Sequence, residues 1–298
     1  MQIIGKDKVI YSFSQKNPPV YEVADGETFW VETDDCYNGQ IKDEKTLRTD
    51  IDISIMDCAV GPIAVAGAQK GDILKIDIIA IQTADYGVMV TKKGMGILGD
   101  DVVTPDTKII PIKDGFAYIT SEIRIPLTPM MGVLGVYPRD DEDIHCAIPG
   151  DHGANMDTKL VRVGSSVYFP VFKERAGIAL GDLHACMGDG ELDGTGIEIA
   201  GRVCLKVTVI KGHMINRPII ETKEGFYFMA SREDIHDAIH VAVKDTVEFL
   251  MRKKSIPFTI AYRLLSATCD IQISELVNDT LTVRVHVPKL DLQIDSLF

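Results

Sequence analysis

The chain has 298 residues, 46% hydrophobic and 25% charged, with a formal net charge of −13. That balance allows a large buried core, while the negative charge repels a phosphate backbone, so nucleic acid is not expected as a partner. No run approaches the roughly eighteen apolar residues of a membrane span, and MQIIGKDKVI lacks the stages of a signal peptide, so a cytoplasmic protein with no membrane partner is expected. The six cysteines (Cys36, Cys58, Cys146, Cys186, Cys204 and Cys269) are scattered singly. Such spacing suits reduced thiols better than a disulfide framework or a zinc knuckle.

Residues 8–13, 27–32 and 72–81 are short, rich in β-branched or aromatic side chains, and separated by turn signals such as ADGE and QKGD, which predicts strands. Over 197–209 the alternation is cleaner. Ile197, Ile199, Val203, Leu205, Val207 and Val209 share one parity; Glu198, Arg202, Lys206 and Thr208 share the other. Period two predicts one buried and one wet face, with Glu198 on the wet side and a bend or bulge at Gly201. Beyond about residue 212, Ser231 and Asp234 have capping-box spacing. The apolar positions Ile235, Ala238, Ile239, Ala242, Val243, Val247 and Leu250 then predict one long helix to about Lys253. Pro257 suits the first turn of a shorter helix through about Ser266, and 281–287 reads as a closing strand. The expected fold is therefore mainly β: a sandwich or barrel-like body over 1–212 that carries the site loops, with a C-terminal α+β portion over 213–298 packed on it. No flexible linker separates the two, so a single domain is equally compatible.

Ionisable groups concentrate where the backbone is most permissive. GDLHACMGDGELDGTGIE, residues 181–198, holds six acidic or imidazole side chains among five glycines. Glycine there permits unusual backbone angles and close approach of a ligand. Asp182 and His184, two apart, share a face of an extended segment, and Asp189, Glu191 and Asp193 repeat the alternation. PGDHGANMD at 149–157 adds Asp151, His152, Asn155 and Asp157; ETDDC at 32–36 adds Asp34 and Asp35 at a strand end. Two histidines accompanied by carboxylates suit a divalent ion such as zinc. Calcium is the rival, although the EF-hand pattern fails because Ala200 stands where the bidentate glutamate belongs. His145, His213, His236, His240 and His286 lack acidic company and read as structural.

These motifs resemble the acetamidase/formamidase family, in which a GD-x-HA segment leads into QGDGE and then GT-x-IE. PMMGVLGVYP at 129–138, PGDHGANMD at 149–157, VAGAQKGDILKIDI at 65–78 and LLSATCDIQISELV at 264–277 are similar to family segments in the same order. The resemblance implies a β-rich, commonly oligomeric and metal-containing protein, here a homodimer or larger, that hydrolyses short amides such as formamide and acetamide. Two residues depart from the pattern. Met187 stands where Gln usually precedes GDGE, and Ala154 replaces the second glycine of HGGNMD.

Amide hydrolysis needs a nucleophile, stabilisation of the oxyanion and a proton for the departing amine, and a metal-activated water meets the first two needs. Side-chain chemistry then assigns Asp35, His152, Asp182 and His184 as metal ligands, Glu191 as general acid/base and Asn155 as donor to the substrate carbonyl. Asp157, Asp189 and Asp193 remain for a second metal or support. A cysteine nucleophile at Cys186 or Cys36 is disfavoured by surrounding carboxylates. Outside enzymology, the same loops suit a zinc- or calcium-stabilised binding protein without turnover.

Overall fold

A computed structural model describes residues 1–298. Strands dominate, in one sheet of nine, one of eleven and a two-stranded ribbon, and none closes into a barrel. The nine-stranded sheet runs from edge to edge through Ile3–Ile4, Thr28–Thr33, Gly201–Ile210, Ile73–Thr83, Ser166–Pro170, Ile219–Glu221, Gly225–Arg232, Leu281–Pro288 and Asp270–Glu275. Strands beyond residue 212 thus continue the sheet begun by those before it. The eleven-stranded sheet runs through Tyr86–Thr91, Glu198–Ile199, Ile178–His184 and Met130–Gly135 to an end at Gly153–Asn155.

Apolar faces of the two sheets meet in one core. Val31, Ile76, Val203 and Leu205 from the first pack with Ile63, Leu134, Leu180 and Leu183 from the second. A second core forms where helices Ile235–Lys254 and Phe258–Thr268 cover the far end of the nine-stranded sheet, burying Ala238, Ala242, Val247 and Leu250 against Phe226, Phe228, Val283 and Val285. No helix is long and apolar enough to cross a membrane.

Three local expectations need correction. The helix is capped by Asp234, whose carboxylate accepts the His236 and Asp237 N–H groups at 2.8 and 3.0 Å. Ser231 belongs to the preceding strand, where its hydroxyl lies 3.0 Å from that of Thr282. A residue still in a ladder cannot turn its backbone to cap a helix. Pro257 stands at the cap of the shorter helix, with extended backbone, rather than within its first turn. Most consequentially, the alternating run at 197–209 is two strands, not one: Glu198–Ile199 joins the eleven-stranded sheet and Gly201–Ile210 the nine-stranded sheet. Arg202, Lys206 and Thr208 keep their access to solvent, but Glu198 is buried. The chain changes sheets at Ala200, and the parity rule stops there.

Candidate active site

The site is built on paired strands. Ile178–His184 and Glu198–Ile199 are antiparallel with His184 directly opposite Glu198, which puts imidazole and carboxylate side by side on one face. His184 Nε2 lies 3.2 Å from Asp182 Oδ1 and 3.2 Å from Glu198 Oε2. Thr195 donates its hydroxyl to Glu198 Oε1 at 2.8 Å, and the Gly196 N–H donates to the same oxygen at 2.9 Å. Met130–Gly135 flanks the other side, with Gly132 facing Asp182. A Cβ there would overlap Asp182 Oδ2 and Asp157 Oδ1, so only glycine leaves room for both carboxylates. Gly196 serves the imidazole similarly, since a Cβ would stand 2.5 Å from His184 Nδ1.

Two loops complete the wall. Asp157 Oδ1 lies 3.9 Å and Glu191 Oε1 4.0 Å from His184 Nε2. Asn155 lines the same cavity of about 390 Å³. Asp157, Asp182 and Glu191 hold left-handed backbone at φ 36°, 54° and 47°, as does Ala154 at φ 71°. Such angles disfavour side chains bearing a Cβ, and their clustering marks a place where surrounding structure holds strain. At 154 the glycine usual in HGGNMD would adopt that angle freely.

One imidazole thus serves four buried carboxylates: Asp157, Asp182, Glu191 and Glu198. Burial alone would lower the His184 value, but Glu198 and Asp182 outweigh it and push the imidazole well above its ordinary range. Burial raises Glu198 too, yet its contacts with His184 prevail and hold it below the usual carboxylate value. Asp182 rises to about 6 through burial and then Glu198. Glu191 rises to about 8 through burial, with Glu198, Asp182 and Glu275 adding to it against the opposing pull of His184. Asp157 rises through burial, Glu191 and Asp182. Asp189 and Asp193, its neighbours in the sequence, are not among these causes.

Of the residues singled out in the sequence, Asn155, Asp157, Asp182, His184 and Glu191 meet at this cavity. Asp35 and His152 do not line it. Asp35 is buried behind the wall, accepting the Gly39 N–H at 2.9 Å, and its neighbour Cys36 lines the cavity instead. His152 is buried edge-on against Phe13, with ring centroids 5.1 Å apart, and burial lowers it to about 4. Asp193 accepts the Thr91 hydroxyl at 3.1 Å, and Asp189 pairs with Lys159 and Arg284, so both brace the loop outside the cavity. Met187 also lies outside, lining an apolar cavity of about 460 Å³ across the loop with Met89, Ile125 and Ile197. Sequence reasoning missed Glu198 and the wholly buried Glu275, which raises Glu191, and weighed Cys36 only as a nucleophile. Glu198 had a signal, the last position of GTGIE, but the parity argument placed it in solvent.

The same arrangement of strands is found in known proteins. The crystal structure of an acetamidase from Bacillus halodurans superposes with a TM-score of 0.95 at 37% identity, covering 98% of each chain. That of a recombinant predicted acetamidase/formamidase from Thermoanaerobacter tengcongensis gives 0.95 at 40% identity, covering 98% of this chain and 97% of that one. A formamidase of Methylophilus methylotrophus is 29% identical over 252 residues, which is 65% of this chain and 62% of that protein. This chain therefore spans less than two thirds of that curated relative. Residues 8–142 and 140–289 match the profile of the Acetamidase/Formamidase family. The chain belongs to the acetamidase/formamidase family.

Proposed function

We propose that this protein hydrolyses short aliphatic amides, of the acetamide and formamide type, to a carboxylate and ammonia at the cavity around His184. The observation that carries this reading is a single imidazole among four buried carboxylates, one of which, Glu191, is raised to about 8. A general acid/base works best near the ambient pH, and family membership supplies the substrate class.

The donor set fits a divalent cation. Asp157 Oδ1 and Glu198 Oε2 are buried without a hydrogen-bond partner. Ligand atoms of Asp157, His184 and Glu191 lie within 4.8 Å of one another, as do those of Cys36, Asp182 and Glu198. Four carboxyl groups crowded around one imidazole are costly to ionise together in the buried cavity, and a cation would offset their charge. We assign Asp182, His184 and Glu198, with Asp157 beside them, as the residues that would hold it, and zinc as the ion because imidazole and thiol lie among the oxygens. When bound, the ion polarises the carbonyl and acidifies water. Asp35 and His152 drop out of the ligand set, since neither lines the cavity.

Glu191 takes the proton from the attacking water and returns it to the departing nitrogen, so ammonia leaves neutral and the carboxyl is reset. The Asn155 amide donates to the carbonyl oxygen as charge develops there. Thr195 and Gly196 hold Glu198 Oε1, leaving Oε2 towards the imidazole. A cysteine nucleophile finds less support. Burial and then Glu198 and Asp182 push the Cys36 thiol well above its ordinary value, and Cys186 donates its thiol to the Pro126 carbonyl at 3.3 Å.

The test is ammonia release from formamide, acetamide and propionamide, with and without chelator, beside a thermal melt. The expected result is turnover of at least one amide, abolished by chelation and restored by zinc. A melt raised by zinc or calcium with no turnover across the panel would favour the non-catalytic binding protein and overturn this reading.

A further inference from the structure

The largest fully buried side chain is a cation outside the cavity. Arg284, on the strand Leu281–Pro288, is 1% exposed. A guanidinium in that position must satisfy its fixed fork of donors, and it does so across three segments. Nε donates to Gln272 Oε1 at 2.9 Å. Nη1 reaches the Ile273 carbonyl at 3.0 Å, Ser274 Oγ at 3.0 Å and Thr158 Oγ1 at 3.2 Å. Nη2 donates to Asp189 Oδ2 at 2.8 Å, an oxygen that also takes Lys159 Nζ at 2.7 Å.

Thr158 follows Asp157, and Asp189 precedes Glu191 by two residues, so one guanidinium clasps both loops that complete the cavity. The backbone repeats the connection. Gly190 N–H donates to the Ser274 carbonyl at 2.8 Å, and Leu276 N–H donates to the Gly190 carbonyl at 3.2 Å. The glycine loop is thereby stitched as a single bridge onto Asp270–Glu275, the edge of the nine-stranded sheet.

We propose that Arg284 and Asp189 form a positioning pair that sets the Glu191 carboxyl against His184, so that the C-terminal strands aim the proton carrier of a site otherwise built on the other sheet. This assignment rests on the proposed amide hydrolysis for its kinetic consequence, and on the hydrogen bonds alone for its structural one. A displacement of the order of 1 Å at a reacting group costs about 10²-fold in rate. The effect belongs in kcat, because the pair touches neither substrate nor cation.

Asp189 is one-third exposed, so Asp189→Asn removes the charge with little change of shape. It is expected to lower kcat for the amide turned over by at least about tenfold with KM within about threefold. Arg284→Lys should do the same, and the double variant should be no slower than the slower single, because both break one link. Hydrogen exchange at the Gly190 and Leu276 amides should quicken at least about tenfold in Asp189→Asn, a readout that needs no turnover. Should Arg284→Lys fail to fold, Asp189→Asn decides alone. Unchanged kcat in that variant, a change confined to KM, or wild-type exchange at Gly190 would overturn the proposal. An inactive wild-type protein would instead refute the hydrolysis while leaving the exchange result to judge the clasp.

Discussion

The two halves of the site are held by different means. Asp182, His184 and Glu198 stand on adjacent strands whose backbone ladder sets their spacing, and glycines at 132 and 196 let them crowd together. Glu191 and Asp157 come from loops with left-handed backbone, held by Arg284, Lys159, Thr91 and one bridge to the other sheet. Under the proposed function, the difference matches a division of duties that a single list of acidic residues hides. A rigid face suits Asp182, His184 and Glu198 as the main holders of a cation, with Asp157 reaching them from its loop, since coordination tolerates little misplacement. A loop suits the group that must pass a proton between two partners.

Breaking the rigid face should have the largest effect. His184→Ala removes the one imidazole from four carboxylates, and turnover is expected to fall beyond about 10³-fold together with loss of stoichiometric metal. Elemental analysis beside the amide assay checks both, and full metal content would refute the ligand assignment. On the loop side, Glu191→Gln keeps shape but not titration. Turnover should fall by about 10²- to 10⁴-fold while metal content and melting temperature stay near wild type. If the metal leaves instead, Glu191 is a ligand and the two halves do not divide as described.

Glycine substitutions sharpen the contrast. Gly132→Ala forces the Asp182 and Asp157 carboxylates apart, and is expected to cost about 10²-fold in rate and about 1 to 3 kcal/mol of stability. Gly188→Ala, where nothing lies within 4 Å of the added carbon, should stay within about twofold of wild type. Equal outcomes would mean the strand face is no more constrained than the loop. Replacing Cys36 or Cys186 with Ala should keep the rate within about tenfold, roughly 1.4 kcal/mol of barrier, and an acyl group trapped on either thiol would contradict that.

The smallest effect concerns His152, outside both halves. Its folded value of about 4 is below the unfolded value of about 6.5, because burial disfavours the charged ring. Its contribution to stability is therefore present above pH 6.5 and lost as the pH falls through 4, where unfolding is drawn by protonation. Across that window the melting temperature of His152→Gln should fall less steeply than that of wild type, by a few degrees at about pH 4.5. Parallel curves would show that the ring is accessible to protons in the fold.

Much of this was legible in the sequence because it is local. Period two exposed the strands, the apolar spacing from Ile235 the long helix, and the glycine-bound carboxylates the loops that meet at the cavity. Glu198 was misplaced because periodicity describes one strand, and the chain changes sheets at Ala200. His152 and Asp35 were drawn into the ligand set by nearby carboxylates, but nearness along a loop does not decide which way a side chain faces. Arg284 gave no signal at all. A lone arginine in an apolar strand declares its role only when the partners brought by topology, Thr158 and Asp189, are seen around it.

Glu198 therefore gives the sharpest test of the central claim, that paired strands and glycine loops form one hydrolytic cavity. Ammonia release from formamide and acetamide should be compared between wild type and Glu198→Gln under saturating zinc. The account predicts turnover by wild type and a loss of at least about 10²-fold in a variant that still folds. Equal turnover by the two proteins would remove Glu198 from the chemistry and contradict the site as described.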